Sequence, residues 1–263
     1  MHYLRLLGLF ARTSFQEEAA YRANFILNLI YSLLNLGTGV LGVGVIFNQI
    51  PTVNGWDFNG TLVLLGVYLT VGALRNLVIG PSLDSLAGMD GEVWSGRLDF
   101  TLLRPVDTQF LASFRKWRLF SLFDMALGLG VLGIATTRIG ADLAPDRWLV
   151  FLITLIAGGA ILYAVLLAFT ALVFWGPGVL FTWVFDGVFQ MARYPLGLYP
   201  GWLRLLLTWV IPVGIITTVP AGTLTGVTST GMLAGMIAFA VALTIASSAF
   251  FRFGLSHYKS ASS

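Results

Sequence analysis

Trp148–Phe174 reads WLVFLITLIAGGAILYAVLLAFTALVF, and no residue in it is charged. A helix needs about 20 apolar residues, at 1.5 Å of rise each, to cross the ~30 Å hydrocarbon core of a bilayer, and this run exceeds that length. Working outward, comparable apolar runs cover Phe25–Phe47, Thr61–Gly80, Leu119–Thr137 and Met232–Phe251. Of the 263 residues 57% are hydrophobic and 10% charged, and the mean hydropathy is +0.85. A water-soluble domain carries roughly 25% charged residues. There are too few charges here to coat a globule of this size, so lipid is the solvent and the expectation is an all-α integral membrane protein, with residues 1–263 as one transmembrane domain.

Ahead of the first span, Tyr3, Leu4, Leu7, Phe10, Ala11 and Phe15 recur at helical spacing while Arg5, Arg12, Gln16 and Glu17 fall on the other side. That pattern predicts an amphipathic helix over 1–23 lying along the membrane surface as an elbow. Glu17, Glu18 and Arg22 interrupt it and no small-residue cleavage site follows a compact apolar run, so it does not read as a cleavable signal. The largest polar stretch is 82–117, with Asp84, Asp90, Glu92, Arg97, Asp99, Arg104, Asp107, Arg115 and Lys116. A shorter one, with Arg138, Asp142, Pro145, Asp146 and Arg147, separates the third span from the fourth.

Orientation follows from the basic residues. Arg5, Arg12 and Arg22 precede the first span, and Arg97, Arg104, Arg115, Lys116 and Arg118 fill or flank the long loop, which places both regions in the cytoplasm by the positive-inside rule. Arg252 and Lys259 put the tail on the same side, which requires an even number of crossings. Six spans satisfy this. The fifth is expected at Val179–Met191, after the Gly176-Pro177-Gly178 turn, with 193–227 left outside as a re-entrant hairpin. That stretch holds Pro195, Pro200, Pro212 and Pro220, and backbone stripped of helical hydrogen bonds is tolerated at membrane depth only against protein or water. A rival arrangement sends Trp202–Val219 across instead.

Several chemistries are excluded. The lysines are Lys116 and Lys259, neither in a GxxxxGK[ST] setting, so no P-loop exists and ATP-driven work falls to another chain. Cysteine is absent and histidine occurs only as His2 and His257, which leaves no HExxH or thiolate metal site. The net charge of +3 reflects orientation and not nucleic-acid binding. Charges inside spans are costly and often functional, and three occur: Arg75 in the second span, Asp124 in the third and Asp186 in the fifth. They read either as a substrate path or proton relay, or as structural groups, with Arg75 snorkelling to headgroups, Asp124 pairing with Arg118 or Lys116, and Asp186 facing another helix. Glycines cluster in helices, at Gly37, Gly39, Gly42 and Gly44, at Gly128, Gly130 and Gly133, at Gly158 and Gly159, and at Gly231 and Gly235. Small residues permit close helix packing, within the chain or across a dimer.

This layout, an elbow helix, six spans, a large loop after the second and a proline-rich stretch before the last, resembles the permease subunits of ABC-2 type transporters, in the branch where each permease is a separate chain of about this length. Gly96-Arg97-Leu98-Asp99-Phe100-Thr101-Leu102-Leu103-Arg104-Pro105 carries the resemblance in the loop. Arg193-Tyr194-Pro195-Leu196-Gly197-Leu198-Tyr199-Pro200-Gly201-Trp202-Leu203-Arg204, with Pro212 and Pro220, carries it in the hairpin. The resemblance implies that Gly96, Arg97, Leu98, Asp99, Leu103, Arg104 and Pro105 belong to a region that seats on an ATPase, and that Tyr194, Pro195, Tyr199, Pro200, Pro212 and Pro220 belong to an external gate. It also implies that two partner ATPase subunits bind the ATP and Mg, and that a second permease chain, a related one ahead of an identical one, completes an exporter in the plasma or inner membrane. A helix start at Asp107 or Thr108 suits the loop. A lipid-modifying enzyme or an ion-coupled carrier are the alternatives. The aromatic content leaves the cargo open among amphipathic or cationic hydrophobic compounds, lipids, peptides and glycans, with a hydrophobic drug-like molecule the expectation.

Overall fold

The computed structural model describes residues 2–20, 22–88, 90–140, 145–178 and 181–258. Val179, Asp142 and Lys259, which enter the expectations above, lie outside them. In chain order the elements are α1 (His2–Ala19), α2 (Arg22–Gln49), α3 (Phe58–Asp84), α4 (Leu98–Leu102), α5 (Thr108–Phe114), α6 (Ser121–Ile139), α7 (Pro145–Phe174), α8 (Phe181–Phe189), α9 (Gly201–Val210), α10 (Val213–Thr225) and α11 (Thr230–His257). Five of these, α2, α3, α6, α7 and α11, are each long and apolar enough to span a bilayer.

The central helix is α3. Its Val63, Leu64, Leu65 and Val67 are completely buried, as expected of a helix that is apolar all round and so must be enclosed. Asp57 starts it by accepting a 2.8 Å bond from the Gly60 amide. Near its far end Pro81 cannot donate to Leu77, and the chain widens into a π-turn over Arg75–Ile79 in which the Gly80 amide reaches back to Arg75. The freed Leu77 carbonyl accepts instead from the Arg118 amide at 2.9 Å. Beside it Ser82 Oγ takes a 2.7 Å bond from the Lys116 amide. A single proline thus leaves backbone positions that fasten the returning leg of the long loop to the end of α3.

Close helix approach is built on glycine. A Cβ added to Gly128 of α6 would lie 2.7 Å from the Thr70 amide nitrogen of α3, and one on Gly66 of α3 would lie 2.8 Å from the Leu132 backbone of α6. The two helices interlock through these notches. Gly158 of α7 does the same for α10: its Cβ would lie 2.9 Å from the Ile216 carbonyl, which Pro220 leaves without its helical donor. By contrast Gly37, Gly44, Gly130, Gly133, Gly231 and Gly235 meet nothing within 4 Å. We expect Gly128→Ala to destabilise the chain by about 1–3 kcal/mol, and Gly130→Ala, on the open side of the same helix, to leave it unchanged. Paired thermal melts in detergent, read by helical circular dichroism, check this.

Between α7 and α11 the chain does not simply cross once. α8 and the short 3-10 turn Gln190–Arg193 start beside the Arg75 end of α3, where Asp186 bonds Arg75. The segment ends near the α2–α3 connection, where Asn54 donates to the Gly197 carbonyl at 3.0 Å. It therefore passes from one end of the bundle to the other, unwinding after Arg193. Two side chains serve the loosened backbone: Tyr199 donates to the Met191 carbonyl that Pro195 cannot serve, at 2.8 Å, and Thr217 to that of Ala192, at 2.9 Å. The chain then turns back into the bundle as α9, bends by 90° at Ile211-Pro212 and leaves as α10. Trp209 reaches Phe239, well inside α11, whereas Thr225 returns to the start of α3 beside Gly60. Both ends of the α9–α10 pair lie at the same end of the bundle. It is a re-entrant hairpin, the arrangement expected from its prolines, and not the single crossing of the rival reading.

Candidate functional site

Polar side chains concentrate in one place. A cavity of about 250 Å³ lies between α2, α3, the start of α6 and α8, and Arg75, Asp124 and Asp186 all line it. The three intramembrane charges singled out from the sequence therefore converge. Arg75, on the π-turn, is 8% exposed. One of its terminal nitrogens lies 2.8 Å from each oxygen of Asp186 and 3.4 Å from Asp84, and the other bonds Asn76 at 2.9 Å. It does not reach for headgroups. Burial and two carboxylates hold it inside the protein.

Asp124 departs from the simplest structural expectation. The ion pairs among the described residues are Arg75–Asp84, Arg75–Asp186 and Glu92–Arg115, and Asp124 is in none of them. It faces Ser32 of α2, with Arg118 contributing only a longer-range field. Nor is Lys116, whose backbone bonds Ser82 of α3, in any of these pairs.

Sequence reasoning missed Arg193 as a cavity residue because it reads as part of the hairpin. Its guanidinium donates to Asn35 at 3.0 Å and to the Tyr68 hydroxyl at 3.4 Å, and sits 5.3 Å from the centre of the Tyr68 ring. Tyr68 in turn stacks on Phe189, with ring centres 5.1 Å apart. On α2, Asn28, Tyr31, Ser32 and Asn35 all line the cavity. Their spacing of three and four residues puts them on one helix face, and that polar stripe in an apolar span is the signal that could have found this wall.

The loop between α3 and α6 is a folded platform. Glu92, 5% exposed, is ion-paired with Arg115, which also reaches Thr101 at 3.1 Å. Gly96 turns the chain with φ +71, a conformation that favours glycine, and Arg97 beside it bonds Ser95 and the Asp90 carbonyl. On α4, Leu98 and Thr101 point inward and are buried, whereas Phe100 and, just past the last turn, Leu103 are 70% and 81% exposed. Asp99 is half-buried, and Arg104 and Pro105 are exposed beyond the helix end. Asp107 caps α5 by accepting from the Phe110 amide at 2.8 Å. The elbow α1 is fixed beneath this platform: Tyr3 packs edge-on against Phe110 at 4.7 Å, Ser14 accepts from the Trp117 amide and Glu18 from that of Phe120. Burial raises the Glu18 carboxyl above its usual range, against the pull of the Phe120 and Leu119 amides and Arg118.

The hairpin residues hold the opposite end. The Tyr194 hydroxyl lies in the notch left by Gly42 of α2, where a Cβ would collide with it. Pro195 and Pro200 each precede a short helical turn, Tyr199 ties the unwound strand to Met191, Pro212 marks the bend, and Pro220 lies within α10.

Neither a curated protein nor a solved structure matches the chain. Residues 33–262 match the family model described as ABC-2 family transporter protein, a match that takes in the α3, α6 and α8 walls of the cavity, the platform and the hairpin. With the helical spans and re-entrant hairpin described above, the chain belongs to the ABC-2 family of transporter permeases.

Proposed function

We propose that this permease is the membrane subunit of an ATP-driven exporter, with the 82–117 platform on the cytoplasmic side as the seat of a separate ATPase. The observation that carries this reading is the exposed apolar tip. Phe100, Leu102 and Leu103 face solvent beside Arg97 and Arg104, on a loop held by the Glu92–Arg115 pair. An exposed apolar cluster rimmed by charge marks a protein contact, and a rigid base lets that contact transmit force. Two ATPase subunits bind ATP and Mg; a second permease chain, a related one ahead of an identical one, closes the path. The α3 end, the platform and α1 move as one unit when the ATPases close, and the cavity opens alternately to the platform side and past the α9–α10 hairpin. Both termini lie on the ATPase side of the plasma or inner membrane.

The test is ATPase stimulation in proteoliposomes containing the permease and the ABC ATPase that co-purifies with it in mild detergent. Leu103→Asp combined with Phe100→Ser removes two central anchors at about 2 kcal/mol each, so binding of the ATPase should weaken by at least about 100-fold, with the melting temperature unchanged. Charge reversal at Arg97, Asp99 and Arg104 should weaken it further. Normal stimulation and export in all these variants contradict the assignment.

A further inference from the structure

The carboxylates around the cavity are shared unevenly: Arg75, Arg118 and Arg193 face Asp84, Asp124 and Asp186, and two of those carboxylates go to Arg75. Arg75 is neutralised by Asp186 and Asp84. Arg118 and Asp124 lie in each other's field. The partners of Arg193 are neutral, the Asn35 amide oxygen, the Tyr68 hydroxyl and ring and the Tyr194 hydroxyl, and its Nε is buried without a hydrogen-bond partner. A guanidinium held half-buried in a membrane protein with no counter-charge is costly. Its fork suits a carboxylate or phosphate, which it can engage through two parallel bonds. The polar stripe Asn28, Ser32 and Asn35 leads along α2 to it, while the outer face of the same helix, at Leu27, Leu34 and Leu41, is exposed and apolar.

Resting on the reading of this cavity as the transport path, we propose that it takes an oxyanion, the carboxylate or phosphate of an amphiphile, with Arg193 as its principal ligand and the tail left in lipid along α2. The cargo class thus moves away from cationic and neutral drug-like molecules. Asp124 and Asp186 remain on the wall, and they favour the region around Arg193 over the rest of the cavity for the anion.

The test uses the full chain in dodecyl maltoside, with dodecyl phosphate, inorganic phosphate and dodecyltrimethylammonium as probes, read by calorimetric titration and by the shift in melting temperature. Dodecyl phosphate should bind and stabilise, and dodecyltrimethylammonium should not. Arg193→Gln should weaken dodecyl phosphate at least tenfold. Asn35→Asp places a carboxylate where the amide oxygen now meets Arg193. It should weaken the probe equally while leaving the ligand-free melting temperature unchanged or higher, which keeps the idea testable if Arg193→Gln misfolds. Competition by inorganic phosphate at similar concentrations supports the same site with a free oxyanion as its source; its failure to compete supports the amphiphile. Undiminished binding in either variant, no binding of dodecyl phosphate to the unaltered chain, or tighter binding of the cationic probe overturns the proposal. No ATPase is needed here, so a negative result leaves the platform assignment standing, and a failed platform test leaves this one intact.

Discussion

Arg75→Met is expected to be the most damaging single substitution in the membrane. It leaves Asp186 and Asp84, both now bonded to the same guanidinium, as like charges facing one another beside an apolar helix. Breaking a buried pair costs about 3–5 kcal/mol. Asp186 opens partly to the cavity, its side chain 40% exposed, so the lower end, about 3 kcal/mol, applies. For a chain of this size that lowers the melting temperature by roughly 6–12 °C. Asp186→Asn should cost less, since Asp84 and Asn76 continue to hold Arg75. Arg75→Met with Asp186→Leu should recover most of the loss, because removing both charges leaves none stranded. Melting of the solubilised chain followed by size-exclusion chromatography ranks the three, and a double variant no better than Arg75→Met would show that the pair is not what holds this end of α3.

Glu92→Gln is expected to have the second-largest effect, on the platform and not on the spans. Glu92 is buried and its carboxylate meets Arg115, whose other contact is Thr101 of α4. With a neutral amide in its place Arg115 loses its counter-charge inside the loop, at about 3 kcal/mol. The platform should then open locally about 100 times more often. Trypsin has a site at Arg97, whereas Arg104 is protected by the proline that follows it, and cleavage at Arg97 in inverted vesicles should accelerate by that factor while the spans stay folded. Arg115→Lys should fail to protect, since an ammonium lacks the fork that reaches Glu92 and Thr101 together. Unchanged cleavage in both variants would mean that the loop is held by its backbone turns alone.

The spans were readable because lipid imposes a length and forbids charge, and Trp148–Phe174 or Met232–Phe251 meet both conditions with no help from the rest of the chain. The hairpin was readable through its prolines, each of which strips a donor from the carbonyl four residues earlier. What served those carbonyls was not readable: Tyr199 and Thr217 are named by no spacing rule, nor is the Arg118 amide that answers Leu77. The charges Arg75, Asp124 and Asp186 stood out by their cost, yet their partners did not. Arg75 pairs with a residue on a helix far along the chain, and Asp124 with neither of the nearby cations expected for it. Arg193 was hidden because its sequence neighbours are prolines and aromatics of the hairpin, while its structural neighbours belong to α2 and α3. Ser14 and Glu18 were likewise missed, since an amphipathic stripe predicts a face toward lipid and says nothing of a loop folding over the helix.

The central claim is that the 82–117 platform stands on the nucleotide side of the membrane and the short α6–α7 connection on the other. The chain contains no cysteine, so Leu103→Cys and Asp146→Cys each introduce a lone thiol at an exposed position. A membrane-impermeant maleimide applied to intact cells should label Asp146→Cys at once, and Leu103→Cys only after the membrane is opened. Labelling of Leu103→Cys from outside, with Asp146→Cys protected, would contradict the account.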